Sequence, residues 1–297
     1  MPTAAANGLT LAYETSGAPD APPVLLLMGL GMPLVFWPDA FVDGLAASGF
    51  RIVRFDNRDC GHSAKVRSGP LPSIPLAIGR SLLRLRVRAP YTLDDMAADA
   101  AGLLDALGVA RAHLVGVSMG GMIAQVMAAR HPQRVTSLTS IMSSSGNPRV
   151  SLGRMGVVRA MLRRPDDPND VNAVIAHLVH LFGVIGSPGF ATDAELLRRD
   201  CERVARRGYY PAGTARQLLA ILASGDRRRD LARVRAPTLV IHGTHDPLLP
   251  PVAGRDTAAH IPGAKLMLID GMGHDLPPAL TARLVGAIAA HCRAAEG

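Results

Sequence analysis

Apolar residues fall into short unbroken runs separated by longer stretches of helical period. Val24–Met28 is wholly apolar and is bounded by Pro22-Pro23 and Gly29, as a strand buried on both faces should be. Arg51–Phe55, His113–Val117, Val135–Met142, Thr238–His242 and Lys265–Ile269 are further strand candidates, and Leu9–Thr15 alternates like an edge strand. Between them the spacing predicts helices over Trp37–Ser48, Leu93–Leu107, Met119–Arg130, Pro251–His260 and Leu280–Arg293. Strand and helix in alternation predict an α/β fold with a mostly parallel central sheet flanked by helices.

Two stretches break this rhythm. Residues 64–90 hold an apolar and basic segment, Ile74–Val87, that reads as an amphipathic helix and a second lid-like insertion. Residues 146–232 carry several helical patterns and no convincing strand. They predict a helical cap inserted into a core made of residues 1–145 and 233–297.

The 297 residues, 48% of them apolar, suffice for one large α/β domain with an insertion and argue against disorder. The formal net charge is +8. Between Gly146 and Arg235 lie 16 Arg against nine Asp plus Glu, so most of the excess sits in the insertion. These arginines are spread over several helices without interleaved aromatics, so nucleic acid is not expected as a partner. Cys60, Cys201 and Cys292 are too far apart for a CxxC or zinc spacing. Residues 1–10 lack the basic and apolar regions of a signal peptide, and the apolar stretch Val24–Trp37 is broken by Pro33 and too short for a bilayer. The expectation is a cytoplasmic protein that does not engage a membrane; the oligomeric state is left open.

Gly116-Val117-Ser118-Met119-Gly120-Gly121 lies between the run His113–Val117 and the helix starting at Met119. G-x-S-x-G between strand and helix is a nucleophile elbow: a tight turn lifts the serine hydroxyl clear of the sheet, and small neighbours let the backbones pass. Ser118 is therefore the candidate nucleophile. The elbow arrangement calls for an acid and then a histidine after the serine. Asp246 follows the strand Thr238–His242, and His274 follows the strand Lys265–Ile269 in Gly271-Met272-Gly273-His274. Both are candidates for a triad in which His274 is the base and Asp246 orients it. The oxyanion donors are expected from the Met119 N–H, at a helix N-terminus, and from the Leu30 N–H in Met28-Gly29-Leu30-Gly31, where Gly29 and Gly31 would let the chain turn. Leu34 occupies the third glycine position of a dinucleotide fingerprint, which excludes that reading.

His242, His245, Asp246 and His274 lack any zinc spacing, so no metal is expected, and no cofactor. The substrate should be a small molecule. Gly29, Phe36, Trp37, Met119, Leu178, Phe182 and His245 are the candidate pocket residues. Asp56-Asn57-Arg58-Asp59-Cys60-Gly61-His62-Ser63 reads as a hydrogen-bonded turn in which Arg58 pairs with a neighbouring carboxylate.

From about Leu9 to Arg293 these features resemble the α/β-hydrolase superfamily. Asp56–Ser63, Tyr91-Thr92-Leu93-Asp94-Asp95-Met96 and Gly271–His274 are similar to the bacterial esterase group that includes aclacinomycin methylesterase. The resemblance implies cofactor-free ester hydrolysis through an acyl-enzyme, with the nucleophile at Ser118, the acid at Asp246, the base at His274 and oxyanion donors at Leu30 and Met119. Met28 departs from the superfamily, many of whose members carry a histidine there. Lactone or macrolide opening, C–C bond hydrolysis and perhydrolysis would use the same triad; a non-catalytic small-molecule binding protein on this fold is the reading from another class.

Overall fold

The computed structural model describes residues 1–297. Its strands are β1 (Thr3–Ala6), β2 (Leu9–Ser16), β3 (Pro23–Leu27), β4 (Arg51–Phe55), β5 (Ala112–Val117), β6 (Val135–Ile141), β7 (Thr238–Gly243) and β8 (Lys265–Ile269). The helices are α1 (Asp39–Ala47), α2 (Ile74–Leu82), α3 (Leu93–Ala106), α4 (Met119–Arg130), α5 (Met155–Leu162), α6 (Val171–Ile185), α7 (Ala194–Gly208), α8 (Pro211–Ser224), α9 (Arg228–Leu231), α10 (Pro251–His260) and α11 (Thr281–Ala294).

The eight strands form one sheet in the order β1-β2-β4-β3-β5-β6-β7-β8. All pairings from β4 to β8 are parallel; β1 with β2 and β2 with β4 are antiparallel. The strand read as the edge is thus one place inside it. The true edge is β1, a short alanine-rich run whose strand character comes from pairing with Leu9–Ala12 and not from any alternation of its own.

Side chains alternate across the sheet as the two-residue period of a strand requires. Leu25 and Leu27 of β3 join Leu93 and Met127 in a core on one face, whereas Val24 and Leu26 join Phe41 and Leu284 in a core on the other. α4 is buried from Met119 through Ala128, which explains why it lacks a polar stripe. Its ends, and those of α10, fall where the apolar pattern predicts them.

No strand lies between Ile141 and Thr238; α5 to α9 occupy that interval. The interval links two neighbouring parallel strands, and Arg227 fastens the segment after β6 to the segment before α9. The Arg227 guanidinium, 3% exposed, donates to the carbonyls of Ser144 and Gly225, and the Arg227 N–H donates to Ser145 O. Ala77 of α2 and Val87 beyond it pack with Leu219 of α8. No helix is long and apolar enough to cross a membrane.

Candidate active site

The turn from β5 into α4 places Ser118 at φ 53°, ψ −119°, a backbone region that a non-glycine residue occupies only under constraint from its surroundings. The constraint is close packing: a Cβ at position 120 would lie 1.9 Å from the carbonyl oxygen of Leu27, so only glycine lets α4 start this near β3. Ser143 Oγ donates to the Ser118 carbonyl at 2.8 Å and holds the turn from the β6 side.

Ser118 Oγ lies 3.0 Å from His274 Nε2, and His274 Nδ1 lies 2.7 Å from Asp246 Oδ2. Nδ1, facing a carboxylate, carries the ring proton, which leaves Nε2 free to accept from the serine hydroxyl. Asp246 Oδ1 is occupied separately: it accepts from the backbone N–H groups of Leu248 (2.9 Å) and Leu249 (2.8 Å). The loops after β5, β7 and β8 therefore bring Ser118, Asp246 and His274 into one hydrogen-bonded chain.

His242 sits beneath it, fully buried, with Nε2 donating to Leu249 O at 2.8 Å and 3.5 Å from Asp246 Oδ2. Burial pushes its pKa below the ordinary imidazole value, so it remains a neutral packing group. No group of three or more His, Cys, Asp or Glu side chains is placed to hold a metal ion.

Gly29 lies directly beside Ser118; a Cβ there would stand 3.4 Å from Ser118 Cβ. Of the two loop glycines only Gly31 has a positive φ, +70°, so the turn belongs to Gly31 and Gly29 supplies the close approach. Gly31 N–H donates to Gln217 Oε1 at 2.8 Å, whereas the Leu30 N–H donates to no protein acceptor. Met119 is the first residue of α4, where an N–H has no intrahelical acceptor.

A cavity of about 800 Å³ opens over Ser118 and His274, lined by residues that include Gly29, Leu30, Phe36, Phe182 and His245. Phe36 and Phe182 meet with ring centroids 4.5 Å apart. Three expected wall residues are not in its lining. Trp37, fully buried, stacks on Phe41 at 5.2 Å because the single helical turn Leu34–Phe36 rotates it inward. Leu178, 1% exposed, is one turn before Phe182 on α6 and is covered by core side chains. Met119 is buried in the core against the sheet.

No residue from 56 to 63, nor from 64 to 90, lines the cavity. Arg58 does not pair within its own turn; it reaches Asp99 of α3, at 2.5 and 2.6 Å. Cys60 is buried, and burial pushes its thiol up, away from thiolate chemistry. Ser187 and Asp275, which the sequence patterns did not single out, both line the cavity.

A family model described as alpha/beta hydrolase fold matches residues 22–277. The chain belongs to this family. Among similar hydrolases, rhodomycin D methylesterase DnrP of Streptomyces peucetius is 31% identical over 97% of this chain and 96% of its own. Rhodomycin D methylesterase DauP of Streptomyces sp. (strain C5) is also 31% identical, with the same coverage. Of solved structures, the enol-lactonase from Burkholderia xenovorans LB400 superposes with a TM-score of 0.69 at 27% identity, covering 98% of this chain and all of that one. A meta-cleavage product hydrolase from Pseudomonas fluorescens IP01 reaches 0.76 at 20% identity, covering 99% of this chain and 98% of that one, a likeness of fold.

Proposed function

We propose that the protein is a carboxylic ester hydrolase working through a Ser118–His274–Asp246 triad and a covalent acyl-enzyme. The observation that carries this reading is the chain Asp246 Oδ2–His274–Ser118 Oγ, at 2.7 and 3.0 Å, at the floor of a largely apolar cavity. A serine hydroxyl attacks an ester only when a base removes its proton. Nε2 of His274 is in reach to do so, while Asp246 fixes the ring tautomer and stabilises the imidazolium that forms. The N–H groups of Leu30 and Met119 stabilise the oxyanion. His274 then returns the proton to the leaving alcohol, and water activated by the same base frees the acid.

Residues 146–232 act as the cap, supplying one wall of the cavity through Phe182 and Ile185. The methylesterase relatives make a methyl ester of a bulky acid the first substrate to try, and a cavity of about 800 Å³ has room for one. A lactone is an internal ester and would be opened by the same atoms; the likeness to an enol-lactonase supports including lactones in the panel.

The test is labelling with a fluorophosphonate and hydrolysis of a panel of methyl esters, longer alkyl esters and lactones, each with wild type and Ser118→Ala. Loss of the nucleophile should cost on the order of a millionfold in turnover. Absence of labelling in wild type, or turnover retained by Ser118→Ala, overturns the reading.

A further inference from the structure

His274 stands on a loop whose backbone is held from two sides, by the loop after β7 and by the helical insertion. The β7 side contributes His245 N–H to Met272 O at 3.0 Å and the Thr244 hydroxyl, which accepts from Gly271 N–H at 3.2 Å. The insertion contributes through residues 185–189. Gly189 N–H donates to Gly271 O at 2.9 Å, and His274 N–H donates to Ile185 O at 2.8 Å. The two backbones touch: a Cβ on Gly273 would lie 2.4 Å from Gly186 O, and one on Gly189 would lie 2.8 Å from Gly271 Cα.

Ser187 closes this contact in a particular way. Its hydroxyl accepts from Gly273 N–H at 2.8 Å and donates to the carboxylate Oδ1 of Asp275. The residues immediately before and after His274 are thus tied to one oxygen atom, which belongs to the insertion. Ser187 is 6% exposed, so water competes poorly for these bonds.

We propose that Ser187 is a positioning residue for His274, so that the insertion sets the alignment of the base as well as the shape of the pocket. Rotation of the loop about 273–275 would move Nε2 away from Ser118 Oγ while leaving the Phe36–Phe182 wall in place. A displacement of about 1 Å at a reacting group can cost up to about a hundredfold in rate. Burial pushes the Asp275 carboxyl above the usual carboxylate range, and the Ser187 hydroxyl opposes that by donating to it; loss of the hydroxyl therefore disturbs both ends of the bridge. The inference rests on the serine-hydrolase reading, which the behaviour of the wild type with a fluorophosphonate tests separately.

The experiment compares kcat and KM for short and long esters in wild type, Ser187→Ala, Ser187→Thr, Asp275→Ala and Ser187→Ala/Asp275→Ala, with fluorophosphonate inactivation rates alongside. For Ser187→Ala, kcat and the inactivation rate should fall together by up to about a hundredfold, to the same extent on every ester, with KM little changed. Ser187→Thr keeps the hydroxyl and should recover most of the rate, its extra methyl having the cavity to occupy. Asp275→Ala breaks the bridge from the other side and should cause a comparable fall. The double variant should be no slower than the worse single, since both remove one interaction. Should Ser187→Ala fail to fold, the Asp275→Ala and Ser187→Thr arms decide. Wild-type kcat in Ser187→Ala, losses confined to KM with reordered ester preference, or multiplying effects in the double variant would each overturn the proposal.

Discussion

Arg216 and Asp59 form a two-pronged ion pair, Nε to Oδ2 at 2.8 Å and Nη2 to Oδ1 at 2.9 Å, with both side chains buried. The pair joins α8 to the turn after β4, and Arg207 of α7 makes a second such link to Asp56 at 3.0 Å. Tyr91 also donates to Asp59 Oδ2, at 2.8 Å. The charged turn at 56–63 is therefore an anchor for the insertion and not a part of the cavity.

Arg216→Ala leaves the Asp59 carboxylate buried without its cation. Breaking a buried pair from one side costs about 3–5 kcal/mol. Equilibrium denaturation in urea should register that loss. A midpoint unchanged from wild type would show that water reaches Asp59 freely.

Asp246→Asn tests the tautomer argument. Asp246 Oδ1 already accepts two backbone N–H groups, from Leu248 and Leu249. An asparagine would keep its oxygen there and turn its NH₂ towards His274 Nδ1. The ring would then carry its proton on Nε2 and could not accept from Ser118. On the proposed mechanism kcat should fall by about 10⁴, with the fold unchanged by circular dichroism. Near-normal turnover in this variant would remove Asp246 from the mechanism.

Much of this arrangement is legible in the sequence because it is enforced locally. The elbow needs small residues at fixed offsets, and the acid and base must follow particular strands; Ser118, Asp246 and His274 all carry such markers. Strands β3 and β5 are buried on both faces, so their largely apolar runs stand out. What escapes is decided by tertiary contacts. β1 is alanine-rich and becomes a strand only by pairing with β2. Trp37 and Phe36 are sequence neighbours, yet one turn of helix sends them to core and cavity respectively. Ser187 and Asp275 meet across 88 positions, and no periodicity marks a single serine in a loop.

Three histidines give a pH prediction with a definite sign. Burial lowers the pKa of His113, His242 and His291 below the ordinary value of 6.5. On acidification the unfolded chain takes up protons at these positions near pH 6.5, while the folded chain resists. The unfolded state then binds more protons, so these groups make stability fall as pH drops below about 6.5. Asp99 and Asp275, raised by burial, act in the opposite sense. The histidine contribution is isolated by difference. The stability of His113→Gln should fall less steeply than that of wild type between about pH 6.5 and 5. Parallel curves would mean that His113 titrates alike in both states.

Phe182 and Leu178 lie one turn apart on α6 and should behave in opposite ways. Phe182 lines the cavity against Phe36, with centroids 4.5 Å apart, whereas Leu178 is 1% exposed and belongs to the core. Removing the Phe182 ring enlarges the cavity without touching Ser118, His274 or the N–H groups of Leu30 and Met119. Contacts with remote parts of a substrate shift preference between homologues, and a methylene in an apolar pocket is worth about 1–3 kcal/mol. Phe182→Ala should therefore reorder kcat/KM along a series of acyl and alcohol lengths by about 10–200-fold, favouring the bulkier members. Leu178→Ala leaves its hole in the core. It should cost about 2–5 kcal/mol of stability while the order of substrates stays that of wild type. Urea denaturation and kcat/KM across one ester series, measured on both variants, separate the two outcomes. Reordering by Leu178→Ala, or an equal loss on every ester for Phe182→Ala, would mean that α6 selects substrate by some route other than contact with the Phe182 ring.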